Sequence, residues 1–590
     1  MNRKVRIVCP MMELKGIAAS PGIVTGKAFV YIDDNPPIPK YDISEAHIPF
    51  ELERFEEAKR KAIRELELLK ERTGAEMSEE TVGVLDSHLL MLQDPEVKEM
   101  IERELHTQQK NIEWVVHMTI QAFIEKLNHT SDPYLRERTA DINDVTRRVL
   151  NHLLHRERIS LTDLSQEVIL VGKDLMPSEA ISMDKRMIRG IAMDEGGKTS
   201  HTAILARAFE IPAVLGLGEI TKHVRTGDEI LIDGNRGIVI IKPDAPTKKT
   251  YLKTLEARTK KEVELLSLNE LPAETKDGKL IRLLGNIEIP EEVEALKGHG
   301  AEGIGLYRSE FLFLNPGRLP SEQMQYEAYR KVLEAMGGKT VTIRTLDLGG
   351  DKIIPDLVDA NEKNPLLGWR AIRFCLSRVQ IFRTQLRALF RASVHGHLQI
   401  MFPMISGVEE LNQALGLVEE VKNELKLEGV PFNDKVSIGC MIEIPSAALT
   451  SDVLARKVEF FSIGTNDLIQ YTIAVDRGNQ RTAYLYDPFH PAVLRLIRIT
   501  VENAHAMGIP VAMCGEMAGD PVATVILLGL GLDELSMSAF SIPAVKKIIR
   551  SVSMAEAEEL VGTVMEMRSG KEIDGYVRQL MEKRFDLGLY

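Results

Sequence analysis

The stretch Val436-Ser-Ile-Gly-Cys-Met-Ile-Glu443, followed by Glu459-Phe-Phe-Ser-Ile463, carries the strongest indication of the fold. Both segments are short apolar runs that predict buried strands. Six more strand candidates lie beyond residue 280, and helical patterns separate all of them. These candidates are Ile281–Asn286, Gly303–Tyr307, Thr340–Arg344, Gln399–Met404, Val511–Cys514 and Glu534–Met537. Eight β–α units in about 310 residues predict a (β/α)8 barrel for the C-terminal half.

Polar residues stand at the predicted carboxyl ends of these strands. Barrels of this kind carry their active sites at that end, so the residues there are candidates for function. Basic, acidic and amide side chains together are typical of a site for a metal ion and an anion. Whether the side chains converge in one cleft tests the idea. The residues are Asn286, Arg308, Arg344, Glu443, Asn466, Asp467, Cys514 and Glu516.

The N-terminal half predicts a small α/β domain. Residues 14–32 predict short strands around a Ser-Pro-Gly turn, and residues 167–242 alternate strand and helix signals. We expect the N-terminal strands to join the later ones in a single sheet. The later predicted strands are Val168–Val171, Ile188–Met193, Glu229–Asp233 and Gly237–Ile241.

Helical patterns fill two further segments. Residues 45–155 predict four helices, with breaks near Gly74, Asp94-Pro95 and 131–133, and form an insertion in the α/β domain. A Lys- and Glu-rich helix over 247–270 is expected to link the two halves. The inserted segment is rich in acidic side chains, which indicates either a solvated helix face or a docking surface for a basic partner.

The composition excludes several classes of protein. The chain has 590 residues and a formal net charge of −13, which argues against a nucleic-acid or anionic-membrane binder. Its four cysteines are scattered, so they favour a reducing, cytoplasmic setting over a disulfide scaffold. No apolar run approaches the roughly 20 residues of a membrane span.

A glycine-rich turn with a histidine occurs at Gly196-Gly-Lys-Thr-Ser-His-Thr-Ala-Ile-Leu-Ala-Arg207. Thr199 or Ser200 can cap a helix that places His201 in its first turn. Free N–H groups and the helix dipole there favour an anion and disfavour an imidazolium. A neutral imidazole can attack phosphorus and form a phosphohistidine. A capping or packing histidine, or a metal ligand, is the alternative at this point.

Several long motifs, in order along the chain, resemble the PEP-utilising enzymes. The histidine motif with Glu210-Ile-Pro-Ala-Val214 is similar to their phosphohistidine signature. The other matching segments are Gly303-Ile-Gly-Leu-Tyr-Arg-Ser-Glu-Phe311, Arg344-Thr-Leu-Asp-Leu-Gly-Gly-Asp-Lys352, Phe461-Ser-Ile-Gly-Thr-Asn-Asp-Leu-Ile-Gln-Tyr-Thr-Ile-Ala-Val-Asp-Arg-Gly478 and Met513-Cys-Gly-Glu-Met-Ala-Gly519. From about Leu14 onward the chain resembles the Enzyme I family of the bacterial PEP-dependent sugar phosphotransferase system.

The resemblance implies roles for individual residues. His201 accepts the phosphoryl group of phosphoenolpyruvate (PEP), and Glu443 and Asp467 bind Mg²⁺. Cys514, a thiol that is mostly protonated at neutral pH, donates a proton to form pyruvate. The substrate-binding set is Arg308, Arg344, Asn466, Asp467, Arg477 and Lys352.

The resemblance also implies a domain plan and partners. A swivelling α/β phosphohistidine domain comprises residues 1–44 and 156–245, and residues 45–155 form a helical domain that docks the phosphocarrier protein HPr. Residues 246–272 form a linker and hinge, and residues 273–590 form a PEP-binding barrel through which the chain dimerises. The expected exposed docking residues are Glu79, Glu80, Asp86, His88 and Met91.

Two alternatives stay open on the sequence. One is an enzyme like pyruvate phosphate dikinase or PEP synthase, and the other is a regulatory member of the superfamily. Only about 165 residues precede the main phosphohistidine segment, and no Gly-rich nucleotide loop is evident, so an ATP-binding domain is not expected. Ala180 follows Pro177-Ser178-Glu179 where the family usually has Thr, so a hydroxyl that orients His201 is expected to be missing.

Overall fold

The computed structural model describes residues 11–31, 38–73, 88–129, 133–154, 166–175, 187–197, 200–313, 319–348, 362, 364–476, 479 and 481–585. The chain divides into two units, Met1–Glu256 and Ala257–Tyr590.

An eight-stranded sheet is the base of the first unit. Its strands lie in the order β1-β8-β7-β3-β4-β5-β6-β2; β3 to β6 run parallel, and the other neighbouring pairs are antiparallel. The N-terminal strands therefore join the later ones, as predicted, and only β6 was missed. The strands are β1 (Met12–Lys15), β2 (Ile17–Ser20), β3 (Ile23–Tyr31), β4 (Val168–Gly172), β5 (Ile188–Met193), β6 (Ala213–Leu215), β7 (Glu229–Asp233) and β8 (Ile238–Ile241).

The helical segment lies between β3 and β4, which confirms the predicted insertion. Its named helices are α1 (Ile48–Thr73), α2 (Pro95–Gln108), α3 (Ile112–His129) and α4 (Pro133–Leu153). Pro95 and Pro133 are the first residues of their helices, where the missing N–H costs no hydrogen bond, so two of the three predicted breaks are confirmed. The third, near Gly74, lies outside the described residues. Buried apolar residues of these helices form a core of their own.

After β4, the described residues of the first unit and its end contain three further helices. The eight-residue helix α5 (His201–Ala208) begins directly after the glycine-rich turn. The other two are Ile220–His223 and the long Ala245–Leu266, which lies close to the helix predicted over 247–270.

A closed barrel of eight parallel strands forms the second unit, as predicted. Each predicted strand end lies within two residues of the observed one. The strands are β9 (Arg282–Ile287), β10 (Ile304–Arg308), β11 (Thr340–Arg344), β12 (His397–Phe402), β13 (Ser437–Ile442), β14 (Phe460–Ile463), β15 (Val511–Met513) and β16 (Glu534–Met537).

Helices surround the barrel and bury one apolar face each against its strands. They are Val293–Gly298, Glu322–Ala335, Ala371–Ser377, Val379–Ala392, Val408–Leu427, Pro445–Leu449, Ser451–Leu454, Thr465–Ile473, Pro491–Ala506, Thr524–Gly529, Ile542–Ile549, Met554–Met565 and Gly570–Arg584. Among the described residues, none of the helices is both long and apolar enough to cross a membrane.

Candidate active site

The carboxyl ends of the barrel strands bring the predicted polar residues into one neighbourhood. Arg308 and Arg344 are register partners at the ends of the adjacent strands β10 and β11. The side-chain amide of Asn286, near the end of β9, donates to the Cys514 carbonyl oxygen at 3.0 Å. The charges of Arg344, Glu443 and Arg308 all act on the Cys514 thiol. The structure therefore brings these residues together.

Arg344 is buried among carboxylates at this end of the barrel. One of its terminal nitrogens bonds the Glu310 carboxylate, and the other lies 3.1 Å from Asp347. Burial lowers the pKa of Arg344, but the nearby carboxylates raise it by more, so the pKa lies above its ordinary value. Arg308 pairs with Glu288 at 2.5 Å and is less buried. Both arginines therefore keep a permanent positive charge at the site.

Arg370 is a site residue that the sequence reasoning missed. Its guanidinium contacts Asp347 at 3.0 Å, Asp467 at 3.5 Å and the Tyr471 hydroxyl at 3.2 Å. It caps the helix that starts at Ala371 rather than ending a strand, so the strand-end rule could not find it. Glu310 and Asp347 lie inside the quoted motifs, so the sequence could have identified them as site residues.

Two of these arginines retain unused hydrogen-bond donors. Within the described part of the chain, the buried Nε atoms of Arg344 and Arg370 have no hydrogen-bond partner. Buried donors are normally satisfied, so an unpaired one indicates a missing partner. Guanidinium N–H groups bind carboxylate and phosphate oxygens well. The arrangement therefore favours an anionic ligand at this end of the barrel.

Glu443 and Asp467 are close enough to interact strongly. Burial first, and then the charges of Asp467 and Asp347, raise the pKa of Glu443 above its ordinary 4.5. Glu443 follows β13 and accepts a 2.6 Å hydrogen bond from the backbone N–H of Met404. The neighbouring strand β14 leads to Asp467. Two adjacent carboxylates on neighbouring strands suit a hard cation between them.

The described residues contain no cluster of three or more acidic, histidine or cysteine side chains arranged to hold a metal ion. A cation at Glu443 and Asp467 therefore needs further oxygen ligands from elsewhere. Hard cations such as Mg²⁺ usually complete their shell with water and substrate oxygens. Since carboxylates outnumber arginines among the described site residues, the residues present fit a divalent cation. The carboxylates are Glu288, Glu310, Asp347, Glu443 and Asp467.

Cys514 follows β15 and is 3% exposed. Its apolar neighbours are Leu306, Met401, Met441 and Phe460, which line the inside of the barrel. Burial raises the pKa of Cys514 to about 11, against hydrogen bonding by Ser462 and the charge of Arg344. The thiol is therefore protonated throughout the neutral range and can donate a proton.

Close packing next to Cys514 holds Asn466 in place. The Asn466 side chain accepts a 2.9 Å hydrogen bond from the Glu516 backbone and donates one of 3.3 Å to the Glu516 carboxylate. A Cβ at Gly515 would lie 1.9 Å from the Thr465 hydroxyl oxygen, so only glycine fits there. The loop after β15 and the helix carrying Asn466 and Asp467 are thereby locked together.

In the first unit, His201 is the first residue of α5, as the turn sequence predicted. Ser200 is the N-cap, and its hydroxyl accepts a 3.3 Å hydrogen bond from the Ala203 N–H. Gly196 has φ +102°, which favours glycine in the turn before the helix. The positive end of the helix dipole thus lies at His201.

Exposure of the predicted docking residues was partly wrong. His88 is 1% exposed, and its ring nitrogen lies 3.8 Å from the buried Asp144 carboxylate, so it faces the helical core. Met91 is half-buried against the same core, whereas Leu90 is 69% exposed. Residues 88–93 are helical, so positions 88 and 92 lie on one face, and Leu92 is also buried.

Several predicted residues lie outside the described part of the chain. They are Arg477, Lys352, Glu79, Glu80, Asp86 and Ala180.

Family models of PEP-utilising enzymes match three segments of the chain. The N-terminal model matches residues 15–138, the mobile-domain model 164–237 and the PEP-binding-domain model 262–554. Together these matches cover most of the helical segment, most of the sheet with α5, and the barrel strands.

Curated relatives match almost the whole chain. The phosphoenolpyruvate-protein phosphotransferase of Bacillus subtilis is 44% identical over 569 residues, covering 96% of this chain and 100% of the relative. That of Haemophilus influenzae is 42% identical over 569 residues, covering 96% and 99%. An NMR structure of an Enzyme I protein is 39% identical, covers 41% of this chain and 98% of its own, and has a TM-score of 0.37.

These relatives do not favour a dikinase-like or a purely regulatory protein. Near-complete coverage at more than 40% identity, with all three family models in order, places the chain among enzymes. The chain belongs to the phosphoenolpyruvate-protein phosphotransferase family, whose members are phosphotransferases of the PEP-utilising group.

Proposed function

We propose that this chain transfers the phosphoryl group of PEP to its own His201 and then to a histidine on the phosphocarrier protein HPr, releasing pyruvate. This is the first step of sugar uptake by the phosphotransferase system. One observation carries the proposal: buried arginines with unused N–H donors stand beside a protonated thiol at the carboxyl end of the barrel.

PEP binds through its phosphate and carboxylate. Arg308 and Arg344 supply paired N–H donors from adjacent strand ends, and Arg370 adds a third guanidinium. Asn466 can add a hydrogen bond to phosphate, and Arg477 and Lys352 are proposed to add charge. Phosphoryl transfer depends mainly on such positioning and charge neutralisation, since the transition state spreads charge over the phosphoryl oxygens.

Glu443 and Asp467 would hold Mg²⁺. When bound, the ion supplies positive charge for the phosphoryl oxygens of the substrate. The raised pKa of Glu443 supports this assignment, because a buried carboxylate beside two like charges favours a positively charged partner.

The proposed reaction at the barrel has two steps. The P–O bond of PEP breaks as a bond forms between phosphorus and an imidazole nitrogen of His201, which leaves the enolate of pyruvate. The Cys514 thiol then gives its proton to C3 of the enolate, and solvent reprotonates the thiolate. Because its pKa is about 11, the Cys514 thiol is protonated before this step.

His201 passes its phosphoryl group to HPr in a second location. One histidine cannot contact both partners in a single arrangement, so the phosphohistidine domain (1–44 and 156–245) swings on the hinge at 246–272. The helical domain (45–155) docks HPr, and the exposed Leu90 together with Met91, Glu79, Glu80 and Asp86 is the proposed docking set. We also propose that the chain acts in the cytoplasm and dimerises through the barrel domain (273–590).

Transfer from PEP labelled in its phosphoryl group tests the proposal. With Mg²⁺ present, the parent chain should gain an acid-labile, base-stable phosphate that purified HPr removes. His201→Ala should abolish the label, while His223→Ala, a histidine of the same unit, should keep it. Label that survives in His201→Ala, or labelling from ATP without PEP, would reject the assignment.

A further inference from the structure

A buried hydrogen-bonded chain lies behind the two arginines of adjacent strands. Gln385 is its centre, on the outer helix Val379–Ala392, and is fully buried. Its amide N–H groups donate to the hydroxyls of Ser309 at 3.0 Å and Tyr329 at 3.1 Å. Its amide oxygen accepts from the Leu346 N–H at 2.9 Å. Both N–H donors of this side chain are therefore used.

The chain of hydrogen bonds has a defined direction. The Ser309 hydroxyl accepts from Gln385 and donates to the Arg344 carbonyl oxygen at 2.7 Å. The Tyr329 hydroxyl accepts from Gln385 and donates to the Gln325 side chain at 3.2 Å. Both hydroxyls thus donate and accept, so one branch ends at the site and the other ends on the outer helix Glu322–Ala335.

Geometry connects the inner branch to the substrate arginines. Ser309 directly follows Arg308, and Glu310, the next residue, bonds the guanidinium of Arg344. The same short loop therefore holds Arg344 at its backbone through Ser309 and at its side chain through Glu310. Gln385 joins this loop to Leu346, two residues beyond Arg344, where the ladder between β10 and β11 has ended.

Packing alone does not require a polar residue at this position. Every other buried residue of the Gln385 helix is apolar: Phe382, Leu386, Ala388, Leu389, Phe390 and Ala392. A buried amide avoids a penalty only when its hydrogen bonds are made, and here they are made with the Leu346 N–H and two hydroxyls. We therefore expect the role of the Gln385 amide to depend on its hydrogen bonds.

We propose that Ser309 and Gln385 are positioning residues that set the spacing of Arg308 and Arg344, and hence the fit of the PEP anion. This inference rests on the proposed function, in which those arginines hold PEP. Neither residue touches substrate; both act by holding the two strand ends in register beyond the last ladder bond. Tyr329 accepts from Gln385 on the outer branch, which leads away from the arginines to Gln325.

Steady-state pyruvate release by the full chain with Mg²⁺ tests the proposal. Ser309→Ala and Gln385→Leu should raise KM for PEP about tenfold, as expected for a lost buried hydrogen bond that positions a ligand group. Their kcat should change much less. Ser309→Thr keeps the hydroxyl and should restore the parental KM.

Tyr329→Phe is the matched control, since it removes one hydroxyl of the same network from the outer branch. It should lower the melting temperature about as much as Ser309→Ala and leave KM unchanged. A parental KM in Ser309→Ala, or an equal rise in Tyr329→Phe, overturns the positioning role while the parent still turns over PEP. A parent chain that releases no pyruvate overturns the proposed function, and this proposal with it.

Discussion

Replacing Glu443 by Gln should stabilise the metal-free protein while removing its response to Mg²⁺. The change keeps the side-chain shape and an oxygen for the Met404 N–H, but replaces a buried ionisable carboxyl next to Asp467 and Asp347 by a neutral amide. In the native state these neighbours and burial raise the pKa of Glu443 above the 4.5 of the unfolded chain. The native protein therefore holds a proton on Glu443 that the unfolded chain has already released.

This difference in bound protons sets the sign and the slope of the pH dependence of stability. Above pH 4.5 the contribution of Glu443 to the stability of the parent falls by about 1.4 kcal/mol per pH unit, until the pH reaches the raised pKa. The Gln variant lacks this loss. Its melting temperature should therefore gain on that of the parent by roughly 2 °C per pH unit between pH 5 and 7. With Mg²⁺ at about 100 times its dissociation constant, the parent should regain about 2.7 kcal/mol, and the variant should not.

Thermal melts of the full chain at pH 5, 6 and 7, with and without Mg²⁺, measure both effects. Glu459→Gln is the matched control, because Glu459 is an exposed glutamate at the opposite end of β14. It should track the parent at every pH and keep the Mg²⁺ response. A Glu443→Gln variant that melts in parallel with the parent across this range would refute the buried-charge reasoning. An intact Mg²⁺ response in that variant would refute its role as a ligand.

Three further changes probe the site. Cys514→Ala should still bind PEP but release pyruvate at least about 100-fold more slowly than the parent. Cys375→Ala, which removes a buried thiol from an outer helix, should keep the parental rate. A parental rate of pyruvate release in Cys514→Ala would contradict proton transfer by this thiol. Gly515→Ala should lower both the melting temperature and kcat/KM, because a Cβ has no room at that position. Gly562→Ala, in a helix with open space around the glycine, should raise the free energy of unfolding by up to about 1 kcal/mol in thermal melts. Arg370→Lys should raise KM for PEP about tenfold in initial-rate assays, because an ammonium cannot form the paired contacts of the guanidinium; an unchanged KM contradicts that role.

Periodicity and turn chemistry were enough to predict the elements. The eight barrel strands lie within two residues of their predicted ends, because a buried strand between helices is a local pattern of apolar residues. Pro95 and Pro133 marked helix starts for an equally local reason. The strand β6 (Ala213–Leu215) was missed, since three residues are too few for a periodic signal.

Exposure within the helical segment was harder to predict. His88 is polar and was expected at the surface, but it lies against Asp144 on a helix distant in sequence. A buried histidine next to a carboxylate has no local signature, because its partner is supplied by the fold.

By itself, the sequence determined the barrel, the inserted helices, the turn before His201 and most of the strand-end residues. These features depend on near neighbours in the chain, whose spacing is visible in the sequence. Only the tertiary structure decided that Arg370 and Arg344 share Asp347, that Glu443 lies among like charges, and that Gln385 bonds Ser309. Each of these contacts joins segments tens of residues apart, and its strength depends on burial, which is a property of the closed barrel.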